Sequence, residues 1–194
     1  MLKDPFKQFQ NWFREAGRSS AIEDPTAACL STLDLSGMPD GRMVLVKSFD
    51  NRGFVFFTNL HSVKGQSLKK LPRAALTYHW APLKKQVRIQ GETALVPDAE
   101  ADAYWKTRPR LTQIGAWASQ QSKPLPGRAR LMKEVARLAL KFGLSPVPRP
   151  AHWTGVRIIP RKIEFWQGRA SRLHDRFVYT KNKNGTWGIA RLYP

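Results

Sequence analysis

Apolar residues in the first part of the chain recur at helical spacing: Phe6, Phe9, Trp12 and Phe13 form a stripe along residues 4–16. Asp4 is placed to cap that helix, Pro5 suits its first turn, and Gly17 is expected to end it. From Thr26 the period shortens. Residues 27–33 and 42–49 read as strands, separated by a Gly-, Pro- and Asp-rich turn region over 34–41. Asp50-Asn51-Arg52-Gly53 predicts a hairpin turn into a strand over 54–58. A short helix over 62–71, stopped by Pro72, precedes strands over 74–80 and 86–96. Pro97-Asp98 opens a helix to Arg108, with Asp98 as its expected cap and Pro109 as its stop. The clearest helix spans 128–142, with Leu131, Val135, Leu138 and Phe142 on one side. Three prolines in 145–150 mark an ordered linker, and strands over 155–159, 162–167, 177–181 and 187–192 close the chain.

This order predicts a mainly β fold with flanking helices, a barrel or sandwich of antiparallel strands. A nucleotide-binding parallel sheet is disfavoured, because no Gly-x-Gly-x-x-Gly follows a strand and strands do not alternate with helices. At 194 residues the chain is read as a single domain, 1–194, with an N-terminal helix segment (1–17) and C-terminal strands (162–194). No run reaches the roughly 18 apolar residues of a membrane helix, and the start lacks a signal core. The one cysteine, Cys29, lies in an apolar run, reads as a small buried side chain, and fits a reducing compartment; the expected location is cytoplasmic.

Charge changes the picture. With 33 Lys and Arg against 14 Asp and Glu, the net charge is +19, which concentrates anions around the chain. The basic residues are spread along the sequence, without the single basic element of a nucleic-acid module, and small phosphorylated ligands fit as well. Neither a dedicated nucleic-acid partner nor a membrane partner is expected.

The four histidines (His61, His79, His152, His174) have no metal-ligand spacing, and no nucleophile elbow or phosphate loop is present. An enzyme of this composition would rely on a cofactor. Tyr104 and Arg108 lie four apart on one face of the predicted helix, with Thr112 just beyond its stop; phenol, guanidinium and hydroxyl can together hold a phosphate. Arg172, His174 and Arg176 alternate, so an extended chain would aim them to one side. Taken alone, both sets are also compatible with solvated surface charge. Bulky rings nearby, in Ile163-Glu164-Phe165-Trp166-Gln167-Gly168 and Gln113-Ile114-Gly115-Ala116-Trp117, favour a flat phosphorylated ligand over a polynucleotide.

Four motifs then act together. Arg42-Met43-Val44-Leu45-Val46-Lys47, the run Arg108 to Ser122, Glu164-Phe165-Trp166-Gln167-Gly168 with Arg172-Leu173-His174-Asp175-Arg176, and the ending Arg191-Leu192-Tyr193-Pro194 resemble the pyridoxine/pyridoxamine 5′-phosphate oxidase family. The resemblance runs from about Asp4 to Pro194 in the family's order. It implies an FMN-binding split β-barrel that works as a homodimer with flavin sites built from both subunits. It implies FMN contacts at Arg42, Met43, Val44, Leu45, Val46, Lys47, Phe57, Thr58, Lys64, Gln86, Gln121, Ser122, Trp166 and Arg176, with Arg42 and Lys64 on the FMN phosphate. It implies substrate contacts at Lys47, Tyr104, Arg108 and Thr112 around the phosphate, and at Arg172, Leu173 and His174 over the pyridine ring, with Arg172 and His174 as the catalytic pair. The implied reaction oxidises phosphorylated B6 vitamers to pyridoxal 5′-phosphate, with molecular oxygen as acceptor and hydrogen peroxide as by-product.

Three departures stand out. Val63 replaces the arginine that usually precedes the phosphate lysine, Thr112 replaces a serine, and only Met1 to Lys3 precede the first helix where many members carry an arm over the substrate. Two other readings are weighed beside this one. One is a related FMN oxidase acting on another substrate such as a phenazine precursor, against which retention of both Tyr104-Arg108-Thr112 and Arg172-Leu173-His174 argues. A non-catalytic nucleic-acid-binding protein is the other, motivated by the charge alone.

Overall fold

In the computed structural model, which describes residues 1–194, the alternation of inward and outward side chains builds eight strands into one antiparallel sheet. They are β1 (Ala27–Leu33), β2 (Pro39–Asp50), β3 (Gly53–Asn59), β4 (Arg73–Trp80), β5 (Lys85–Leu95), β6 (Trp153–Gln167), β7 (Asp175–Lys181) and β8 (Trp187–Leu192). The sheet order is β3-β2-β1-β4-β5-β6-β7-β8, and β3 also pairs with β6, so the first six strands close a barrel. β7 and β8 continue the sheet beyond it. The helices are α1 (Pro5–Arg18), α2 (Val63–Lys70), α3 (Asp98–Thr107), α4 (Arg110–Ala118) and α5 (Arg128–Phe142). No helix is long and apolar enough to cross a membrane.

The barrel interior holds Leu30, Val46, Phe54, Phe56, Leu76, Tyr78, Val87, Ile89, Ile158, Ile163 and Phe165. Helix α1 plugs it. Asp4 caps this helix by accepting from the Phe6 and Lys7 amides, and Phe9 and Trp12 enter the core with Phe6 and Phe13 packed beside them. The helix runs through Gly17 and ends at Arg18. A second cluster, Trp105, Ile114, Ala118, Leu138, Val147 and Trp153, fastens α3, α4 and α5 to the start of β6, with the expected Leu131, Val135 and Phe142 packed against it. The proline linker is ordered because indole N–H groups bind its carbonyls: Trp105 Nε1 to Val147 O at 2.7 Å, and Trp117 Nε1 to Pro148 O at 2.8 Å.

Several local expectations are corrected. β2 begins at Pro39, inside the expected turn. The strands expected over 155–159 and 162–167 are one strand, β6, whose pairing with β5 shifts at Gln90/Gly91 opposite Pro160. Pro160 has no N–H to give a ladder, and the bulge accommodates it. Gly91 is required there, since a Cβ would stand 2.0 Å from Ile159 O. Asp98 is the first residue of α3, after Pro97 at the cap; its carboxylate binds Arg149 at 2.7 Å instead. Pro109, expected only as the stop of the preceding helix, also caps a helix, α4, to which no expectation was attached, and Thr112 lies inside it. Cys29, expected buried, is half-buried.

Candidate functional site

Beside the barrel, β2, β3, α2, α3 and the segment after α4 enclose a cavity of about 730 Å³. Strand β2 contributes Arg42, Met43, Val44, Leu45 and Lys47 to its wall. Lys47 is the extra residue of a bulge, since Val46 pairs with Phe56 and Ser48 with Val55; a bulge re-aims such a side chain. Val46, in contrast, faces the barrel core and does not line the cavity. Strand β3 is buried throughout except at Phe57, which lines the cavity with Thr58 and Asn59. Gly155 on β6 pairs with Phe57, and a Cβ there would stand 2.9 Å from its ring.

One set of polar groups gathers around the start of α2. Ser62 caps this helix, Lys64 Nζ lies 3.5 Å from Ser62 Oγ, and the Val63 amide donates to Ser122 Oγ at 3.4 Å. The Gly65 and Gln66 amides are taken by Ser62, but the positive end of the helix dipole still favours an anion beside it. Arg42 reaches toward this end, donating to Thr32 Oγ1 (2.6 Å), Leu30 O (3.3 Å) and the Asp40 carboxylate. Burial holds the Lys64 ammonium below the usual lysine range, Arg42 adds to that, and Asp40 opposes it. Ser122 takes a left-handed φ of 71°, which is unusual for a residue with a Cβ.

A second set lies on α3. Tyr104 and the C-capping Arg108 both line the cavity. Tyr104 stacks on Phe57 at 4.0 Å, and the Arg108 guanidinium lies 4.5 Å from the Trp153 ring centre and 5.1 Å from that of Trp105. Burial pulls Arg108 down from its ordinary range and pushes the Tyr104 phenol up, each opposed by the other. Arg42 and Lys64 come from β2 and α2 and Arg108 from the end of α3, so different elements bring two cationic ends to the cavity, with Lys47 of β2 also lining it. Two buried polar atoms at its wall, Thr58 Oγ1 and Arg108 Nη1, have no partner. Unpartnered buried donors are what a phosphorylated ligand would satisfy.

The remaining predicted residues fall elsewhere. Thr112 does not line the cavity; its hydroxyl donates to Pro109 O at 2.7 Å, closing the first turn of α4, while its carbonyl accepts from Arg108 Nη2 at 3.3 Å. Gln86, Trp166 and Arg176 occupy one row across β5, β6 and β7, away from the cavity lining. Arg176 Nε binds the buried Glu164 at 2.8 Å. His174 lies against Trp166 at 4.6 Å and accepts the Arg169 amide at Nδ1. Arg172, Leu173 and His174 are not extended as expected: Ala170–Arg172 is a tight 3₁₀ turn, with Ser171 and Arg172 at φ of 54° and 60°. Within one chain the predicted residues other than Val46 and Thr112 therefore form two groups: the cavity set, including Gln121 and Ser122, and the row on β5–β7 with the turn beside it.

The sequence reading missed Asp40, Asn59, Ala116, Ser119 and Trp153 as lining residues. Asp40 fell in the presumed turn, though its spacing of two from Arg42 was a visible signal. Trp153 carried none, because only the β3–β6 register brings it to Phe57.

The chain matches the family model described as pyridoxamine 5′-phosphate oxidase over residues 18–142, and that of the pyridoxine 5′-phosphate oxidase C-terminal dimerisation region over 153–194. It is 55% identical over 192 residues to a pyridoxine/pyridoxamine 5′-phosphate oxidase of Caulobacter vibrioides, covering 99% of this chain and 86% of that one. A protein of the same description from Azorhizobium caulinodans is 53% identical, with 98% and 90% covered. Among solved structures, PhzG from Burkholderia lata, in complex with tetrahydrophenazine-1-carboxylic acid, superimposes with a TM-score of 0.92 at 30% identity, over 100% of this chain and 94% of that one. A fold of this kind, carrying these motifs and matched over nearly its whole length, places the chain in the pyridoxine/pyridoxamine 5′-phosphate oxidase family.

Proposed function

We propose that the protein binds FMN and oxidises pyridoxamine 5′-phosphate, pyridoxine 5′-phosphate or both to pyridoxal 5′-phosphate, as a homodimer. The observation that carries this reading is the pair of cationic ends that different elements bring to one cavity, Arg42 and Lys64 from β2 and α2, and Arg108 beside Tyr104 from α3. Two phosphates in one site, one on a flavin and one on a pyridine, need two such ends.

The residues present fit FMN. Arg42, Lys64 and the start of α2 would hold its phosphate, Thr58 Oγ1 offers an unused donor, and Gln121 and Ser122 supply further polar contacts along the cavity. When bound, FMN supplies a two-electron acceptor for the substrate's 4′ carbon, and its reoxidation by oxygen releases hydrogen peroxide. An alcohol substrate yields the aldehyde directly, and an amine consumes one water and releases ammonia. The chain's own task is binding and orientation. Arg108 and Tyr104 would fix the substrate phosphate, with Lys47 beside them and Thr112 holding Arg108 through its carbonyl. Arg172 and His174, with Leu173, would cover the pyridine ring and steady charge near the reacting carbon. They and the row Gln86, Trp166 and Arg176 would come from the second copy, since the cavity of one chain lacks them. The family's dimerisation region spans residues 153–194, which includes the Trp166–Arg176 part of this set.

The test is an absorbance spectrum of the purified protein followed by anaerobic mixing with each candidate substrate. Flavin bands bleached by pyridoxamine or pyridoxine 5′-phosphate, and restored by air with release of peroxide, are the expected result. A flavin bleached by a dihydrophenazine carboxylate and not by either vitamer would move the substrate assignment to the class of ligand bound by the phenazine relative. A protein with no affinity for FMN would overturn the reading entirely.

A further inference from the structure

The guanidinium assigned to the substrate phosphate is held without an acid. Arg108 makes no ion pair; its only side-chain hydrogen bond runs from Nη2 to the Thr112 carbonyl at 3.3 Å, and Nη1 is buried and unpartnered. What surrounds it instead is aromatic. Its guanidinium carbon stands 4.5 Å from the Trp153 ring centre, with Trp105 at 5.1 Å. Trp153 in turn stacks on Phe57 at 5.2 Å and 11°, and Phe57 stacks on Tyr104, so three nearly parallel rings form a slab behind the cavity.

The slab is anchored from both ends. The Trp153 amide donates to Pro150 O at 2.9 Å, and its carbonyl accepts Arg149 Nη1 at 2.9 Å. The other arms of Arg149 reach Asp98 at 2.7 Å and Asp102 at 2.5 Å on α3, the helix that carries Tyr104 and Arg108. Ring and guanidinium are thus tied to one frame. An acidic partner would orient Arg108 equally well, but would also neutralise it and compete with an incoming dianion. A ring face attracts the cation through its quadrupole and leaves every outward N–H free.

We propose that Trp153 is a positioning residue for substrate recognition: its ring face holds the Arg108 guanidinium in the cavity wall, with its charge uncommitted, ready for the substrate's phosphate. The proposal rests on the reading of Arg108 as the phosphate ligand, and the experiment separates the two.

Trp153→Phe keeps a flat ring, whereas Trp153→Met keeps bulk without one. Each is made in the FMN-loaded protein and in an Arg108→Ala background. The readouts are KM and kcat for pyridoxine 5′-phosphate, the dissociation constant of pyridoxal 5′-phosphate, and FMN affinity. Trp153→Met is expected to raise KM and the product dissociation constant about three- to thirty-fold, with kcat and FMN affinity moving much less, and Trp153→Phe to recover most of the loss. In the Arg108→Ala background neither variant should weaken binding further. A purely structural Trp153 would weaken it equally in both backgrounds, and that result, or an unchanged KM, overturns the proposal. If Trp153→Met does not fold, Trp153→Phe decides: its weaker ring face should raise KM roughly two- to five-fold, and only where Arg108 is present. Should Arg108→Ala itself leave KM for the phosphorylated substrate unchanged, the phosphate reading fails, and the role of Trp153 fails with it.

Discussion

Asp40 is the one acidic side chain lining a cavity whose other charged groups are cationic, which makes its removal informative. It lies two residues before Arg42 on β2, so both project from the same strand face, and its carboxylate pairs with the Arg42 guanidinium. The pair is half solvated: the Asp40 side chain is 41% exposed and that of Arg42 20%. An FMN phosphate arriving at Arg42 and Lys64 would meet this carboxylate twice, as a like charge and as a competitor for Arg42. Asp40→Asn removes both effects while keeping the side chain's size. At such exposure a charge contact contributes about 0.5–1 kcal/mol, so FMN should bind roughly two- to five-fold more tightly. Folding stability should change little, since Arg42 keeps Thr32 Oγ1 and the Leu30 carbonyl. Titration of apo-protein with FMN, followed by fluorescence quenching at low and high salt, measures the gain, which should shrink as salt screens the charges. Riboflavin, which lacks the phosphate, is the control and should bind both proteins alike. Weaker FMN binding by Asp40→Asn would refute the reasoning and make Asp40 the residue that aims Arg42; an equal gain for riboflavin would show that the effect bypasses the phosphate.

Val63→Arg should tighten FMN roughly two- to ten-fold at low salt, because Val63 lines the cavity at the first position of α2 and is 46% exposed. A cation there opposes the helix dipole at about 0.3–1 kcal/mol, so unchanged or weaker binding would mean that the apolar contacts of Val63 matter more. His174→Ala should lower kcat more than it alters FMN affinity, as a contact made near the reacting carbon does; unchanged kcat and kcat/KM would remove His174 from the site. His152 stacks on His61 at 4.9 Å, and burial, with His61 adding to it, holds its imidazole below the ordinary value, against a backbone hydrogen bond to Ala116. The unfolded chain therefore takes up the proton first, and stability falls as pH drops through about 6.5. Urea unfolding at pH 7.5 and 5.5 should show a smaller acid loss in His152→Gln, and an identical loss would exclude this histidine as a cause.

Elements whose local pattern agrees with their tertiary setting were legible in the sequence. The aromatic stripe of α1, the β2–β3 hairpin and the apolar side of α5 form where periodicity placed them. The failures occur where one residue has two meanings. Pro109 ends α3 and also starts α4, since a residue with fixed φ suits a helix entrance as well as an exit. Pro160 breaks the apolar run of β6 without breaking the strand, because a bulge opposite Gly91 absorbs it. The alternating Arg172, His174 and Arg176 mimic an extended chain, but Ser171 and Arg172 turn left-handed and only Arg176 lies in β7, which starts at Asp175, two residues before the expected strand. In the site, the i,i+4 pair Tyr104 and Arg108 was readable from spacing, whereas the seat of Arg108 on Trp153 was not. That contact joins positions 45 apart, α3 to β6, and no local rule encodes it.

The division of the predicted residues into two groups has its own physical logic. Among the cavity-lining residues of β2, Met43 (64%) and Leu45 are exposed, and Leu33, Leu35 and Met38 are exposed at the β1–β2 turn. The turn that carries Arg172 and His174 likewise exposes Leu173 (69%), with Leu192 and Tyr193 exposed near the end of the chain. Exposed apolar side chains at the wall of a polar cavity are what a second copy would cover in the proposed homodimer. A two-fold axis makes the arrangement reciprocal: whatever one copy lends to its partner's cavity, it receives in its own. In the proposed homodimer the row Gln86, Trp166 and Arg176 would thus complete the cavity of the opposite chain. Such a site exists only in the assembled state, so its polar residues need not be close within one chain, and their separation in the monomer is what a shared site requires.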